Sequence, residues 1–342
     1  MIQSKKIWSS IVVGIVSVLI LAGCSNLGRN DPNSGDKSRL IGNNTEEYYM
    51  VTFLSGIDYW KGSYKGFQEA GNLYGVKTVF TGTGEYDVNK EVTALEQIIA
   101  KRPAGIAVTC INPEALEAPI KKAISAGIPV VTFDADSPNS GRYSFIATGN
   151  ENAGAMAAKA LAEQIGAGGG EVAVVTLPSQ LNHQQRFAGF KKAIESENKQ
   201  LRLVAVGDGK GDQNEAAKSL AGILQANPGI KGVFCTDATG GVGAATAVKE
   251  ANKVGQVKII SFDTEKGTLD AIKSGVISAS IAQGTYVMGY QSMNFLYHLK
   301  HNLIQPAEGW KEKGIRPLPE YVDTGVSIVT KENVDSFYSL YR

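Results

Sequence analysis

Apolar residues follow two rhythms along this chain. From Tyr48 onward, short runs rich in Val, Ile, Phe and Ala alternate with longer stretches in which apolar residues recur every three or four positions. The short runs predict strands at residues 48–54, 76–81, 104–109, 128–133 and 143–147. The theme repeats in strands at 171–177, 201–206, 232–236, 257–262 and 278–282, with one more near the C-terminus. The amphipathic stretches predict helices at 60–74, 88–101, 113–126, 152–165, 183–197, 214–226, 241–252, 267–274 and 286–301. Pro113 and the negative charge of Glu265 suit first helical turns, and Gly127, Gly229 and Gly275 follow helical runs where a left-handed residue is wanted.

Alternating strands and helices predict an α/β fold with parallel sheets. Eleven strands are many for one sheet, so two are expected. Open sheets of this kind bind ligands beyond the carboxyl ends of their strands, so the residues just after each strand are where function is sought.

Ahead of Tyr48 the pattern changes. Residues 1–23 read as a signal peptide: Lys5 and Lys6, an almost uncharged apolar run too short to span a bilayer, then Leu21-Ala22-Gly23-Cys24. That tetrad resembles a bacterial lipobox, in which the cysteine is lipidated and becomes the N-terminus. Residues 24–47 are polar, rich in Ser, Asn, Gly and Asp, and read as a flexible tether. The body is thereby placed outside the cytoplasm, lipid-anchored to the cell membrane. Loss of Lys5 and Lys6 takes the formal net charge from +1 to about −1, which leaves no basic excess for nucleic acid. The remaining thiols, Cys110 and Cys235, sit in apolar runs and read as buried and free.

The strand ends carry Asp58-Tyr59-Trp60, residues 109–112, Asp134-Ala135-Asp136, residues 182–186, Asp237, Asp263 and Gln283. The set is acidic, with one arginine and an aromatic pair. The three histidines have no metal-site spacing, and His298 and His301 read as a solvated helix end. The sequence holds neither a nucleophile elbow nor a phosphate loop. Gly241-x-Gly243 before Asp263 imitates a dinucleotide fingerprint with a misplaced start. Residues 208–215 imitate a calcium loop in which Lys210 stands where an oxygen is needed. No metal and no cofactor is expected.

Seven phrases in order give a specific resemblance. They are Tyr59-Trp60 with Gly66-Phe67; Pro129-Val-Val-Thr-Phe-Asp134; Asn150 to Gly154; Arg186-Phe-Ala-Gly-Phe190; Val233-Phe-Cys-Thr-Asp237; Ile260-Ser-Phe-Asp263; and Ala279-Ser-Ile-Ala-Gln283. From Tyr48 to Thr330 the chain resembles the ribose/galactose-type periplasmic sugar-binding proteins of ABC importers, whose core the lactose-repressor family shares. A repressor would carry a helix-turn-helix where this chain has its signal peptide.

The resemblance implies the type I periplasmic binding protein architecture: two Rossmann-like lobes joined by a three-stranded hinge. One lobe would hold residues 48–147 plus 284–322 and the other 148–283 plus 323–342. It implies that Tyr59 and Trp60 pack on a sugar and that Asp134, Arg186, Asp237, Asp263 and Gln283 bind its hydroxyls; Asp58 and Asp136, beside them at the strand ends, are further candidates for the rim. Ile57 replaces a usual Asn, Ala135 a usual Arg, and Asp237 a frequent Asn, which counts against ribose itself. The chemistry suits a monosaccharide or polyol, because carboxylates and a guanidinium match hydroxyls and an aromatic ring matches a pyranose face. The implied protein is a non-enzymatic monomer that closes on its ligand and hands it to an ABC permease or, alternatively, to the ectodomain of a sensor histidine kinase.

Overall fold

The computed structural model describes residues 44–309 and 313–338; the signal peptide, Cys24 and most of the tether lie outside the described residues. The first sheet contains β1 (Glu47–Thr52), β2 (Lys77–Gly82), β3 (Gly105–Val108), β4 (Val130–Phe133), β5 (Phe145–Ala147) and β11 (Tyr321–Asp323), in the order β11-β5-β4-β3-β1-β2. The second contains β6 (Gly170–Thr176), β7 (Leu201–Asp208), β8 (Ile230–Cys235), β9 (Lys258–Phe262), β10 (Ala279–Gln283) and β12 (Val326–Val329), in the order β12-β10-β9-β8-β6-β7. The second order is the first with each of β1–β5 replaced by the strand five places later. Every pairing is parallel except β10 with β12.

Parallel strands covered on both faces read as unbroken apolar runs, and β3 and β4 are buried at every position. Alternate residues of β1 serve separate cores: Tyr48 and Met50 on one face, Tyr49 and Val51 on the other. The helices are α1 (Tyr59–Tyr74), α2 (Val88–Ala100), α3 (Pro113–Ser125), α4 (Asn150–Ile165), α5 (Leu181–Ser196), α6 (Gln213–Ala226), α7 (Ala238–Glu250), α8 (Lys266–Lys273), α9 (Thr285–Lys300) and α10 (Val334–Phe337). Side-chain caps start four of them: Asp87 for α2, Asn112 for α3, Asp212 for α6 and Asp237 for α7.

The helices do not all stay with the sheet they follow. After β5 the chain enters α4, which packs on β8 and β9 of the second sheet; after β10 it enters α9, which packs on β3, β4 and α1 of the first. Between β11 and β12 it passes between the sheets once more. The three passages hold one another: Gly149 N–H donates to Asp323 Oδ1 (2.8 Å), Thr324 N–H to Ala147 O (2.9 Å), and the Thr148 hydroxyl to Gln283 Oε1 (2.7 Å).

Two helix pairs cross closely on glycines. A Cβ on Gly189 of α5 would lie 1.9 Å from Glu151 O of α4, and one on Gly154 of α4 would lie 1.9 Å from Arg186 O of α5. In the first sheet's layer, Gly66 of α1 and Gly289 of α9 meet the backbone of Tyr286 and Ser63 in the same way. The phrases Gly66-Phe67 and Gly189-Phe190 are therefore one device used twice, with both phenylalanines fully buried.

Several sequence expectations need correction. The C-terminal region gives two strands, not one, because Gly325 turns the chain at φ +71° between runs too short to show a period. Gly229 is not a left-handed cap; α6 ends at Ala226 and is capped by Asn227, whose side chain donates to Ile223 O, while Gly127 and Gly275 do take positive φ. His301 is not solvated, since it pairs with Glu46 at 2.9 Å, and His298 lies part-buried against Tyr74. Cys110 and Cys235 are buried and free. No group of metal-ligating side chains occurs among the described residues.

The glycine crossings make a specific stability prediction. Gly189→Ala forces backbone apart at a contact that has no room, and overpacking of this kind costs about 1–3 kcal/mol. Gly56→Ala, with nothing within 4 Å of the added carbon, is expected to be nearly neutral. Chemical denaturation of the two variants checks this; an unchanged midpoint for Gly189→Ala would refute the account of the crossing.

Candidate functional site

Between the carboxyl ends of the two sheets lies a cavity of about 480 Å³, within the size range of small-molecule sites. Residues from both sheets line it. Tyr59 starts α1, Asp134 follows β4, Arg186 lies in the second turn of α5, Asp237 follows β8, Asp263 follows β9 and Gln283 ends β10. The site is therefore assembled by strand ends remote in sequence, as the topology requires.

Asp134 and Asp263 occupy equivalent places and share an unusual backbone. Both are left-handed, at φ +61° and +66°. Each donates its N–H to a carbonyl of the neighbouring strand, Asp134 to Ile146 O (3.2 Å) and Asp263 to Ile281 O (2.8 Å). The conformation costs a residue with a Cβ about 1–3 kcal/mol, least for Asp and Asn. It swings each carboxylate off the strand and into the cleft.

A chain of hydrogen bonds joins these groups. The Tyr59 hydroxyl donates to Asp134 Oδ1 (2.6 Å) and accepts from Gln283 Nε2 (2.9 Å). Gln283 Nε2 also donates to Asp263 Oδ1 (2.8 Å), while its Oε1 accepts from Arg186 Nη2 (2.9 Å). Arg186, 2% exposed, further donates to Asn150 Oδ1 (2.9 Å) and Thr236 O (2.8 Å), and its guanidinium lies 3.9 Å from the centre of the Phe262 ring. Three of the five guanidinium N–H bonds are engaged, which leaves two for a ligand. Asp237 has two duties: Oδ2 caps α7 through Thr239 and Gly240, and buried Oδ1 has no partner.

Other side chains sit differently from what the sequence suggested. Trp60 lines the cavity but is 2% exposed, its indole donates to Phe53 O (2.9 Å), and its ring meets Phe53 and Phe133 edge to face. It is chiefly core. Tyr59 enters the site through its hydroxyl rather than as a free stacking face. Asp136 is drawn away into a buried ion pair with Arg142 (2.6 Å) and lines an adjoining cavity of about 400 Å³ instead. Asp58 is outside the main cavity, on an exposed pair with Lys61 (2.8 Å). Arg142 is thus a second buried cation, but one already neutralised.

The sequence reading missed Phe53, Tyr86 and Glu265 and held His183 only within the run 182–186; all four line the cavity. Tyr86 follows β2, Asp208 ends β7 and Lys210 follows it; the strand-end rule finds them when it is applied to every strand. Tyr86 also accepts a hydrogen bond from Gln180 across the cleft (2.6 Å). His183 is held neutral, because burial and then the Arg186 charge push its pKa well below the usual value, and Nδ1 faces Thr236. Glu265 does not cap α8, despite its place before that helix.

Comparison with known proteins gives the following. A sequence profile described as "Periplasmic binding protein domain" matches residues 48–302. The chain is 48% identical to a sugar-binding protein of a sugar ABC transporter from Bacillus halodurans, with a TM-score of 0.81, covering 86% of this chain and 100% of that one. It is 49% identical to AraP, an arabinose binding protein from Geobacillus stearothermophilus, with a TM-score of 0.79, covering 86% and 99%. It is also 29% identical to a structure of the XylFII–LytSN complex, with a TM-score of 0.71, covering 84% and 98%.

The carboxyls of the cavity are electrostatically crowded. Burial raises the pKa of Asp134 and Asp237, with Tyr59 and Thr239 respectively opposing by hydrogen bonding. Asp263 is pushed up to about 7, first by burial and then by the charges of Asp134 and Asp237, against the pull of Arg186 and Gln283. A carboxyl whose folded pKa is raised holds a proton that the unfolded chain releases. Its contribution is full below the unfolded value of about 4 and is lost as pH rises through about 7. Unfolding of ligand-free protein at pH 5 and pH 8 is therefore expected to show Asp263→Asn gaining on the wild type as pH rises. An Asp263→Asn variant that loses stability relative to the wild type between pH 5 and pH 8 would contradict this.

Proposed function

Since the chain belongs to the family of periplasmic sugar-binding proteins, we propose that it captures a neutral monosaccharide, arabinose, in the cavity between its sheets. The observation that carries this is the pairing of opposite capacities in one enclosed place: Asp237 Oδ1 lacks a donor, and Arg186 keeps two unengaged N–H bonds. A sugar hydroxyl donates and accepts at once, so a ring of hydroxyls answers both. The choice of arabinose rests on the likeness to AraP. Five carboxyl residues line the cavity against Arg186 and Lys210, which disfavours an acidic sugar.

Capture proceeds by closure. The two units are residues 48–147 plus 284–322 and residues 148–283 plus 323–342, turning about the three passages between them. The Tyr59–Gln283 and Tyr86–Gln180 hydrogen bonds span the cleft and support this reading. Ligand bridging both sides binds the closed form better than the open one and shifts the population towards it. No covalent step is involved.

The closed protein, tethered through lipidated Cys24 outside the cytoplasm, then delivers its sugar to an ABC permease. A second reading has a specific support in the XylFII–LytSN likeness: the closed form docks on the extracellular domain of a membrane sensor kinase. Both readings use the same pocket and differ only in the listener.

Two outcomes are expected. Asp263→Ala weakens arabinose binding by about 1.5–3 kcal/mol, the worth of hydrogen bonds to a charged group, measured by titration calorimetry with a retained folded far-UV spectrum; equal affinity removes Asp263 from the site. Cys24→Ser abolishes incorporation of labelled fatty acid in cells, and continued labelling would refute the anchor.

A further inference from the structure

Glu265 is the cavity-lining acid that the fold leaves without an assignment. It stands two residues after Asp263, in extended backbone (φ −56°, ψ 151°) immediately before α8. Its place suggests a helix cap, yet its side chain makes no capping bond. Nearby cations are committed elsewhere, Lys266 to Asp270 and Lys210 to Glu215. Its Oε2 is enclosed and has no hydrogen-bond partner, as is true of Asp237 Oδ1 on the same wall.

An enclosed carboxyl oxygen without a donor is destabilising, and two lining one cavity mark a wall shaped for something that supplies donors. We infer that Glu265 is a sugar-recognition residue, whose carboxyl engages a ligand hydroxyl on the side turned towards α8, next to the hydroxyl met by Asp237. This rests on the reading of the cavity as a sugar site. Burial, and then the neighbouring Asp263 charge, push the Glu265 carboxyl up to about 8, so near neutral pH it carries a proton and can both give and receive a hydrogen bond. That suits a hydroxyl and not a second anion.

The test uses the full chain and calorimetry with arabinose and its monodeoxy analogues, on the wild type and on Glu265→Ala, Glu265→Met and Glu265→Gln. Alanine and the volume-conserving methionine are expected to weaken arabinose binding about tenfold or more. Glutamine, which keeps a donor and an acceptor, is expected to stay within about threefold. For the one deoxy analogue that lacks the matching hydroxyl, wild type and Glu265→Met should bind alike. A residue acting only through the placement of α8 would weaken every analogue by the same factor, and that result overturns the inference, as does unchanged arabinose affinity in Glu265→Met. If Asp263→Ala weakens binding while Glu265→Met does not, the sugar site stands and only the role of Glu265 falls. Folded wild type that binds no sugar of the panel overturns the sugar reading and this inference with it.

Discussion

A single buried guanidinium holds the cleft together. Among the described residues Arg186 touches no carboxylate; its contacts are the neutral oxygens of Asn150, Thr236 and Gln283 and the face of Phe262. Its charge is therefore not cancelled at contact and acts through space, lowering the pKa values of Asp134, Asp237 and Asp263 against burial. Without it, the acids would face one another in a low-dielectric space with nothing to balance them. Arg186 can be so placed because the backbone of its own turn rests on Gly154, where a methyl group would not fit. The electrostatics of the site thus begin in a packing contact between two helices.

Gln283 extends that arrangement to the other sheet. One amide receives from Arg186 and Thr148 and gives to Tyr59 and Asp263. It also ends β10, where the chain leaves one sheet for the other. The residue that couples the site's charges is therefore at a passage of the chain between the two sheets.

Much of this was legible in sequence. The alternation of runs predicted the α/β class and most elements, and the strand-end rule picked out Asp134, Arg186, Asp237, Asp263 and Gln283. Side-chain direction was not legible. Trp60 and Tyr59 are adjacent, yet a helix turns successive residues by about 100°, so one enters the core while the other reaches the cleft. Asp136 and Asp58 are sequence neighbours of site residues whose side chains found Arg142 and Lys61 instead. Pairings with a partner distant in sequence have no local signal. The left-handed turns at Asp134 and Asp263 were equally silent, since no glycine marks them. Glu265 was visible but read as a helix-end charge, because propensity rules describe the helix and not the space beside it.

The exchange of helices between sheets has a consequence for biosynthesis. One face of the first sheet, with Tyr48, Met50, Phe133 and Ile146, is covered by Met288, Met293, Leu296 and Tyr297 of α9. That helix follows all of β1–β10 in the chain. Until it emerges, the five strands synthesised first have on that face only the cover of α1, through Trp60, Phe67 and Ala70, and cannot reach their final packing. A helix that arrives after β10 is a timer: the final packing of the first sheet waits until five strands of the second have been made.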